Sequence, residues 1–322
     1  MKPPRSVVTI GNFDGVHIGH AALVGRAREL AEGAGHASRV VVLSFDPHPA
    51  SVLAPGRQPE RLTGFEHRVE LLGNAGADEV IRLQPTGHML GQSPEDFVER
   101  LVRDLAPIAV VEGPDFRFGR GREGDVLTLR TLGSKFGFNV DVVGPVEAVM
   151  TDGTVAAASS SLVRWLLAEG RIGDARAALG RAYEMRGSVV RGERRGRDIG
   201  YPTANIRSEY LAPGDGVYGG EAELPDGRRL TAAISVGTKP TFGAAPRTVE
   251  AFLMDAPRQE AADGAAVITG LPEYGWEIKL RFDHWIRDQV RFGSLQELLD
   301  QMDRDCRRIR ELSAMKENAA CP

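Results

Sequence analysis

Between residues 5 and 145, short apolar runs alternate with longer segments of helical spacing, and this alternation constrains the fold more than any other feature of the chain. "SVVTI", "SRVVVLSF", "ADEVIRL" and "PIAVVEG" are short, apolar and closed by Gly, Pro or Asp, so they read as buried strands. Between them "HAALVGRARELAEGAG", "GFEHRVELLGNAG" and "SPEDFVERLVRDL" carry helical periodicity. The last opens on a Ser-Pro start signal with an acidic first turn. Such alternation predicts a parallel sheet covered on both faces, with ligands bound at the carboxyl ends of its strands. The segment "TIGNFDGVHIGH", residues 9–20, leaves the first strand at such an end.

A helical stretch, "SSSLVRWLLAEGRIGDARAALGRAY", closes this half, and beyond it the texture changes. "GSVVRG", "GVYGGEAEL", "RRLTAAISVG", "TVEAFLMD" and "WEIKLRFDHW" follow one another through turns, with no helix between them. This pattern predicts an antiparallel sheet or small β-barrel, followed by an amphipathic terminal helix in "SLQELLDQMDRDCRRIRELSAM". The expected class is therefore α/β: a Rossmann-like parallel-sheet domain over 1–182 and an antiparallel barrel domain over 183–322. At 322 residues the chain is long enough for two such cores. A net charge of -4 argues against a dominant nucleic-acid or membrane surface. Cys306 and Cys321 lack metal-like spacing, the N-terminus lacks a signal-peptide core, and no run of about 18 apolar residues occurs. A reduced, cytoplasmic protein is expected, and its oligomeric state stays open.

His17 and His20 stand three residues apart at the start of a predicted helix. They can be ordinary helix-start residues. They can be a metal pair, since i and i+3 share a helix face, but His36 and His48 sit in "GAGHAS" and "FDPHP" and supply no convincing third ligand. The reading that accounts for every element of the stretch is phosphate binding. A helix N-terminus offers free N–H groups and a positive dipole end, and two imidazoles there can donate to a phosphate gaining charge. Gly19 then keeps the wall low for a nucleotide.

"GNFDGVHIGH" resembles the G-x-F-D-x-x-H-x-G-H signature of nucleotidylyltransferases. The whole chain is similar to the bifunctional riboflavin kinase/FAD synthetase family. "FDPHP" (45–49), "GPDFRFGRGREGD" (113–125) and "SSSLVR" (159–164) fit the adenylyltransferase half. "GRDIGYPTAN" (196–205), "GVYGG" (216–220), "VGTKPTFG" (236–243) and "VEAFLMD" (249–255) fit the kinase half. The resemblance implies ATP, riboflavin and FMN as small-molecule substrates, flavins as substrate and product, and Mg²⁺ with ATP. It implies His17 and His20 on the ATP phosphates, with Gly11, Asn12, Phe13 and Asp14 shaping the same floor. Ser159, Ser160, Ser161 and Arg164 suit the leaving phosphates, although a serine run is also a plain N-cap. Asp115 is implied in nucleotide contacts. Phe45 and Phe118 are either flavin-stacking rings or core aromatics. "GRGREG" (119–124) formally satisfies G-x-G-x-x-G with Asp141 following. That reading is rejected because "PDFRF" intervenes after the strand and Arg117, Arg120 and Arg122 make a basic, mobile loop.

No G-x-x-x-x-G-K-S/T sequence occurs, so kinase chemistry needs another phosphate cradle. "RGERRGRDIGYPTANI" supplies Gly192, Gly196 and Gly200, with Arg194, Arg195 and Arg197 for charge. Pro202 stiffens the approach to Thr203 and Asn205, which share one side of an extended segment and can ligate Mg²⁺. Glu250 is the expected base. Period-two alternation places Thr248, Glu250, Phe252 and Met254 on one face, which desolvates the carboxylate if that face is interior and leaves it ordinary if exposed. The family often has His where Phe252 stands. Residues 256–272, "APRQEAADGAAVITGLP", depart most from the family and read as a long surface loop.

Overall fold

The computed structural model describes residues 4–34, 38–192, 200–238, 247–260 and 266–320. By contact the chain divides into two compact units, Met1–Val149 with Thr154–Ser160, and Met150–Gly153 with Ser161–Pro322. Among the described residues, no helix is long and apolar enough to cross a membrane.

In the first unit, β1 (Ser6–Gly11), β2 (Arg39–Phe45), β3 (Glu79–Leu83), β4 (Pro107–Glu112) and β5 (Asn139–Val142) form one parallel sheet in the order β3-β2-β1-β4-β5. The helices are α1 (Ile18–Gly33), the short α2 (Ala50–Leu53), α3 (Phe65–Asn74), the short α4 (Gly87–Leu90), α5 (Pro94–Leu105) and α6 (Val126–Phe136). α5 starts as its sequence predicts, with Ser93 accepting from the Asp96 N–H and Pro94 next in line. Alternate residues of each strand feed two cores. Val8, Ile10, Val41, Leu43 and Val110 pack with Phe97, Leu101, Leu129 and Leu132 of α5 and α6. Val7, Val40, Val42, Ala109 and Val111 pack with Val24 and Ala27 of α1 and Leu72 of α3. The sheet is therefore covered on both faces, as expected. β1 pairs with β2 from Ser6 to Gly11, whereas its ladder to β4 ends at Val8↔Val110. The β1–β4 ladder ends there, at the point where the sheet order reverses, which is where ligands bind in open α/β sheets.

A small hairpin, β6 (Glu147–Val149) and β7 (Val155–Ala157), precedes α7 (Ser160–Ala168) and α8 (Ile172–Leu179). These helices group with the barrel, because α8 packs on its strands and the Gly214 N–H donates to the Leu167 carbonyl at 2.8 Å. The compact units thus divide near residue 160, upstream of the boundary read from sequence texture.

The barrel closes in the order β10-β11-β12-β9-β8-β15, using β8 (Tyr183–Val190), β9 (Thr203–Arg207), β10 (Gly216–Glu223), β11 (Arg229–Gly237), β12 (Thr248–Leu253) and β15 (Glu277–Arg287). Met185, Tyr218, Ile234, Leu280 and Phe282 are fully buried, with the Tyr218 ring edge-on to Phe282 at 5.4 Å. The terminal helix, α9 (Leu295–Ala320), buries Cys306 and Ile309 against Met254, and Asp305 pairs with Arg287 at 2.8 Å. The expected surface loop at 256–272 instead contains a hairpin, β13 (Arg258–Glu260) with β14 (Ala266–Ile268), which buries Ala256 and Val267.

Candidate active sites

The chain leaves β1 through a turn with three positive φ angles, at Phe13, Gly15 and Val16. Asp14 holds that turn. Its buried carboxylate accepts from the Leu62 N–H, the Thr63 N–H and the Thr63 hydroxyl at 2.9–3.1 Å. Asp14 is thus turned toward the 62–63 loop. Phe13 is buried beneath Gly11 and sets its ring 5.0 Å from His20. His17 occupies the N-cap of α1 with extended backbone and makes no side-chain cap bond. The two imidazoles stack face to face, with centroids 3.6 Å apart and planes 25° apart. Stacked faces do not aim their nitrogens at a common point, which disfavours a shared metal. A Cβ on Gly19 would lie 3.1 Å from His17 Cε1 and Nδ1, so this glycine seats the imidazole. His17 is only 7% exposed, and His20 is half-buried.

Around this pair sits a polar frame that sequence patterns do not reveal. His48 Nδ1 accepts from the Ala50 N–H at 3.1 Å, so in the neutral ring Nε2 carries the proton. The Asn12 amide nitrogen Nδ2 lies 3.1 Å from His48 Nε2. Arg68, 3% exposed, donates to the Asn12 carbonyl, the Ser44 hydroxyl and the Phe45 carbonyl at 2.7–2.9 Å, joining the ends of β1 and β2. Its charge faces buried Asp46 at 3.6 Å. Beyond the last β1–β4 pair, the Ile10 N–H donates to the buried Glu112 carboxyl at 2.7 Å. Burial holds the Glu112 pKa well above the ordinary carboxylate range, against the opposing effect of that N–H.

The other predicted residues of this half are spread more widely. Asp115 is exposed. Phe45 is half-buried against the sheet core. Phe118 is buried, stacked on Phe116 at 5.4 Å and near Phe97 at 5.8 Å. The loop at 118–124 is closed by reciprocal backbone bonds between Phe118 and Gly124, with Arg120, Arg122 and Glu123 exposed at its tip. The Ser160 hydroxyl donates to the Asp14 carbonyl at 2.7 Å, both residues belonging to the first unit. Ser159 is half-buried and Ser161 exposed. Arg164 lies one turn into the same helix.

In the barrel, antiparallel register sets Glu250 opposite Asn205 and Phe252 opposite Thr203. All four share one face of the β9–β12 pair, and the Thr203 hydroxyl donates to the Glu250 carboxylate at 3.4 Å. The alternate residues Val249, Ala251 and Leu253 are buried in the barrel core. The Glu250 face is therefore outside the barrel and half-buried, with Phe252 and Met254 lying under Tyr201 and α9. Gly192 fits against Asn205 so closely that a Cβ would sit 2.1 Å from the amide nitrogen. Gly200 has φ +84. Arg194, Arg195, Gly196 and Arg197 lie outside the described residues.

A parallel α/β unit with imidazoles at a helix start, joined to a closed barrel with paired hydroxyl, amide and carboxylate groups, defines a two-unit phosphate-transferring enzyme. Residues 1–156 match the family model described as FAD synthetase, and residues 179–313 match the one described as riboflavin kinase. The chain is 33% identical over 315 residues to the bifunctional riboflavin kinase/FMN adenylyltransferase of Escherichia coli (strain K12), covering 97% of this chain and 94% of that one. It is 30% identical over 321 residues to the same-named protein of Listeria monocytogenes, covering 98% and 94%. A crystal structure described as a macrolide-efflux protein from Streptococcus pneumoniae superposes with a TM-score of 0.80 at 27% identity, over 96% and 95% of the two chains. The efflux role belongs to that protein's description alone. The chain belongs to the bifunctional riboflavin kinase/FMN adenylyltransferase family.

Proposed function

We propose that this enzyme converts riboflavin and ATP to FMN and ADP, then FMN and ATP to FAD and pyrophosphate. The kinase step belongs to residues 183–322 and adenylyl transfer to residues 1–182. Contacts attach 161–182 to the barrel unit, but the "SSSLVR" motif assigns that segment to adenylyl transfer. The observation that carries the kinase reading is the Thr203–Glu250 hydrogen bond beside the Asn205↔Glu250 pair. Glu250 takes the proton of the ribityl 5′-hydroxyl as its oxygen attacks the γ-phosphorus and ADP leaves.

The Thr203 hydroxyl and Asn205 amide oxygen are hard oxygen donors that fit Mg²⁺ carried by ATP. When bound, that ion neutralises phosphate charge. For adenylyl transfer the FMN phosphate is already ionised, so it attacks the α-phosphorus without a base. His17 and His20 contribute N–H donors to oxygens that gain charge, and Arg164 and the serines suit the departing pyrophosphate. The free, buried Cys306 suits a reducing cytoplasm, and ATP and flavins are the expected partners, with no nucleic acid or membrane.

The test is to incubate variants with riboflavin, ATP and Mg²⁺ and separate the flavins over time. His17→Ala with His20→Ala should stop FAD formation and leave FMN accumulating; continued FAD synthesis would falsify the histidine assignment. Glu250→Gln should stop riboflavin phosphorylation while supplied FMN is still adenylylated.

A further inference from the structure

The ladder between β1 and β2 ends at Gly11↔Ser44. Each strand then leaves the sheet by a turn, one running through Asn12 to His17 and the other through Phe45 to His48. Strand pairing no longer holds these turns together, and Arg68 of α3 does so instead. One nitrogen of its guanidinium, Nη1, donates to the Asn12 carbonyl, the Ser44 hydroxyl and the Phe45 carbonyl at 2.7–2.9 Å. Nη2 reaches the Thr63 carbonyl at 3.3 Å, and the Ser44 hydroxyl donates in turn to the Asn12 carbonyl at 3.3 Å. The two turns meet again where Asn12 Nδ2 lies 3.1 Å from His48 Nε2.

Stability alone does not call for a cation here. An apolar side chain of similar volume fills a buried site without desolvating a charge, and exchanging buried ion pairs for such residues is often neutral or stabilising. An apolar chain cannot fix the directions of three oxygens. Those oxygens belong to the segments that carry Asn12, His17 and His48, and phosphoryl transfer that needs no base depends chiefly on such placement. Resting on the assignment of adenylyl transfer to the histidine turn, we propose that Arg68 is a positioning residue for that step, clamping the two turns that leave β1 and β2. At 3% exposure it acts through the backbone and not on the nucleotide. Because the three short bonds converge on a single nitrogen, the three donors of a lysine ammonium can serve the same oxygens.

The experiment uses the full chain and compares Arg68→Met, which keeps the bulk and removes every donor, with Arg68→Lys. Asp46 is not stranded by the first change, since Arg61 at 3.3 Å and Arg82 at 3.7 Å still face it. Urea unfolding at the assay temperature first establishes that each variant is fully folded. Steady-state FAD formation from supplied FMN and ATP then gives kcat and both KM values. Arg68→Met should lower kcat about tenfold to a hundredfold and leave KM for ATP and FMN within about threefold, while Arg68→Lys recovers most of kcat. Riboflavin phosphorylation should be unchanged in both. Where Arg68→Met does not fold, Ser44→Ala removes one partner of the clamp and should lower kcat about threefold to tenfold. Full kcat in folded Arg68→Met, or in Ser44→Ala where it stands in, overturns the proposal. So does equal loss in the Met and Lys variants, which would put packing and not the donors at fault. If His17→Ala/His20→Ala keeps making FAD while Arg68→Met does not, the clamp stands and the histidine assignment fails.

Discussion

Glu112 offers a direct test of how the end of the β1–β4 ladder is held. The carboxyl is 2% exposed and stands in for a missing strand partner, accepting the Ile10 N–H where the β1–β4 ladder has ended. Burial raises its pKa well above 4.5, with the Ile10 N–H opposing. The folded protein therefore keeps a proton that the unfolded chain releases above its ordinary carboxylate pKa. Stability from this neutral carboxyl is fully present below that unfolded value and is lost as pH rises through the folded one. Within that window the slope is about 1.4 kcal/mol per pH unit, one proton's worth. Glu112→Gln keeps the acceptor oxygen and abolishes the titration. The variant should match wild type at acid pH and gain about 1.4 kcal/mol on it for each pH unit climbed inside the window. Urea unfolding followed by circular dichroism from about pH 5 to about pH 8 measures this. The three tryptophans, Trp165, Trp276 and Trp285, all belong to the second unit, so the transition seen by their fluorescence should not move. Parallel stability–pH curves for the two proteins would refute the buried neutral acid. Glu112→Val leaves the Ile10 N–H without an acceptor and should cost about 1–3 kcal/mol at every pH.

Two glycines extend the test to the sites themselves. Gly192→Ala would drive a Cβ to 2.1 Å from the Asn205 amide nitrogen, so riboflavin phosphorylation should fall more than about tenfold while supplied FMN is still adenylylated; separate assays of the two steps check it. Gly19→Ala meets the His17 ring at 3.1 Å, and displacing that ring should slow FAD formation by about tenfold to a hundredfold with FMN formation unchanged.

The parallel half was readable because its strands are short β-branched runs and its helices carry apolar periodicity, both local signals. What escaped was partner choice across the chain. Asp14 looks like a floor residue in "GNFDG", but its partners lie 48 and 49 residues away in a stretch with no distinguishing pattern. Arg68 sits in "GFEHRVELL" where an arginine ordinarily faces solvent. It is buried because three oxygens at the ends of β1 and β2 converge on its guanidinium. Gly19 reads as a low wall for a nucleotide, and in the structure the space it leaves is filled by the neighbouring imidazole.

In the barrel, alternation identified which residues share a face but not which face is the core. "TVEAFLMD" groups Glu250 with Phe252 and Met254 by period two, and the structure keeps that grouping. The opposite set, Val249, Ala251 and Leu253, is smaller and more uniformly aliphatic, and it fills the barrel core. Bulk explains the assignment. The interior already holds Tyr218, Met185, Ile234 and Phe282, which leaves little room for another aromatic ring, so Phe252 goes outward. An outward Phe252 and Met254 need cover, and α9 supplies it through Cys306 and Ile309. Glu250 is carried along on that same face and is half-buried. The period-two pattern thus couples the proposed base to the C-terminal helix, although Glu250 and Ile309 are distant in sequence. Three-residue strands such as those of the β13–β14 hairpin are too short to show any period, which is why 256–272 read as a loop.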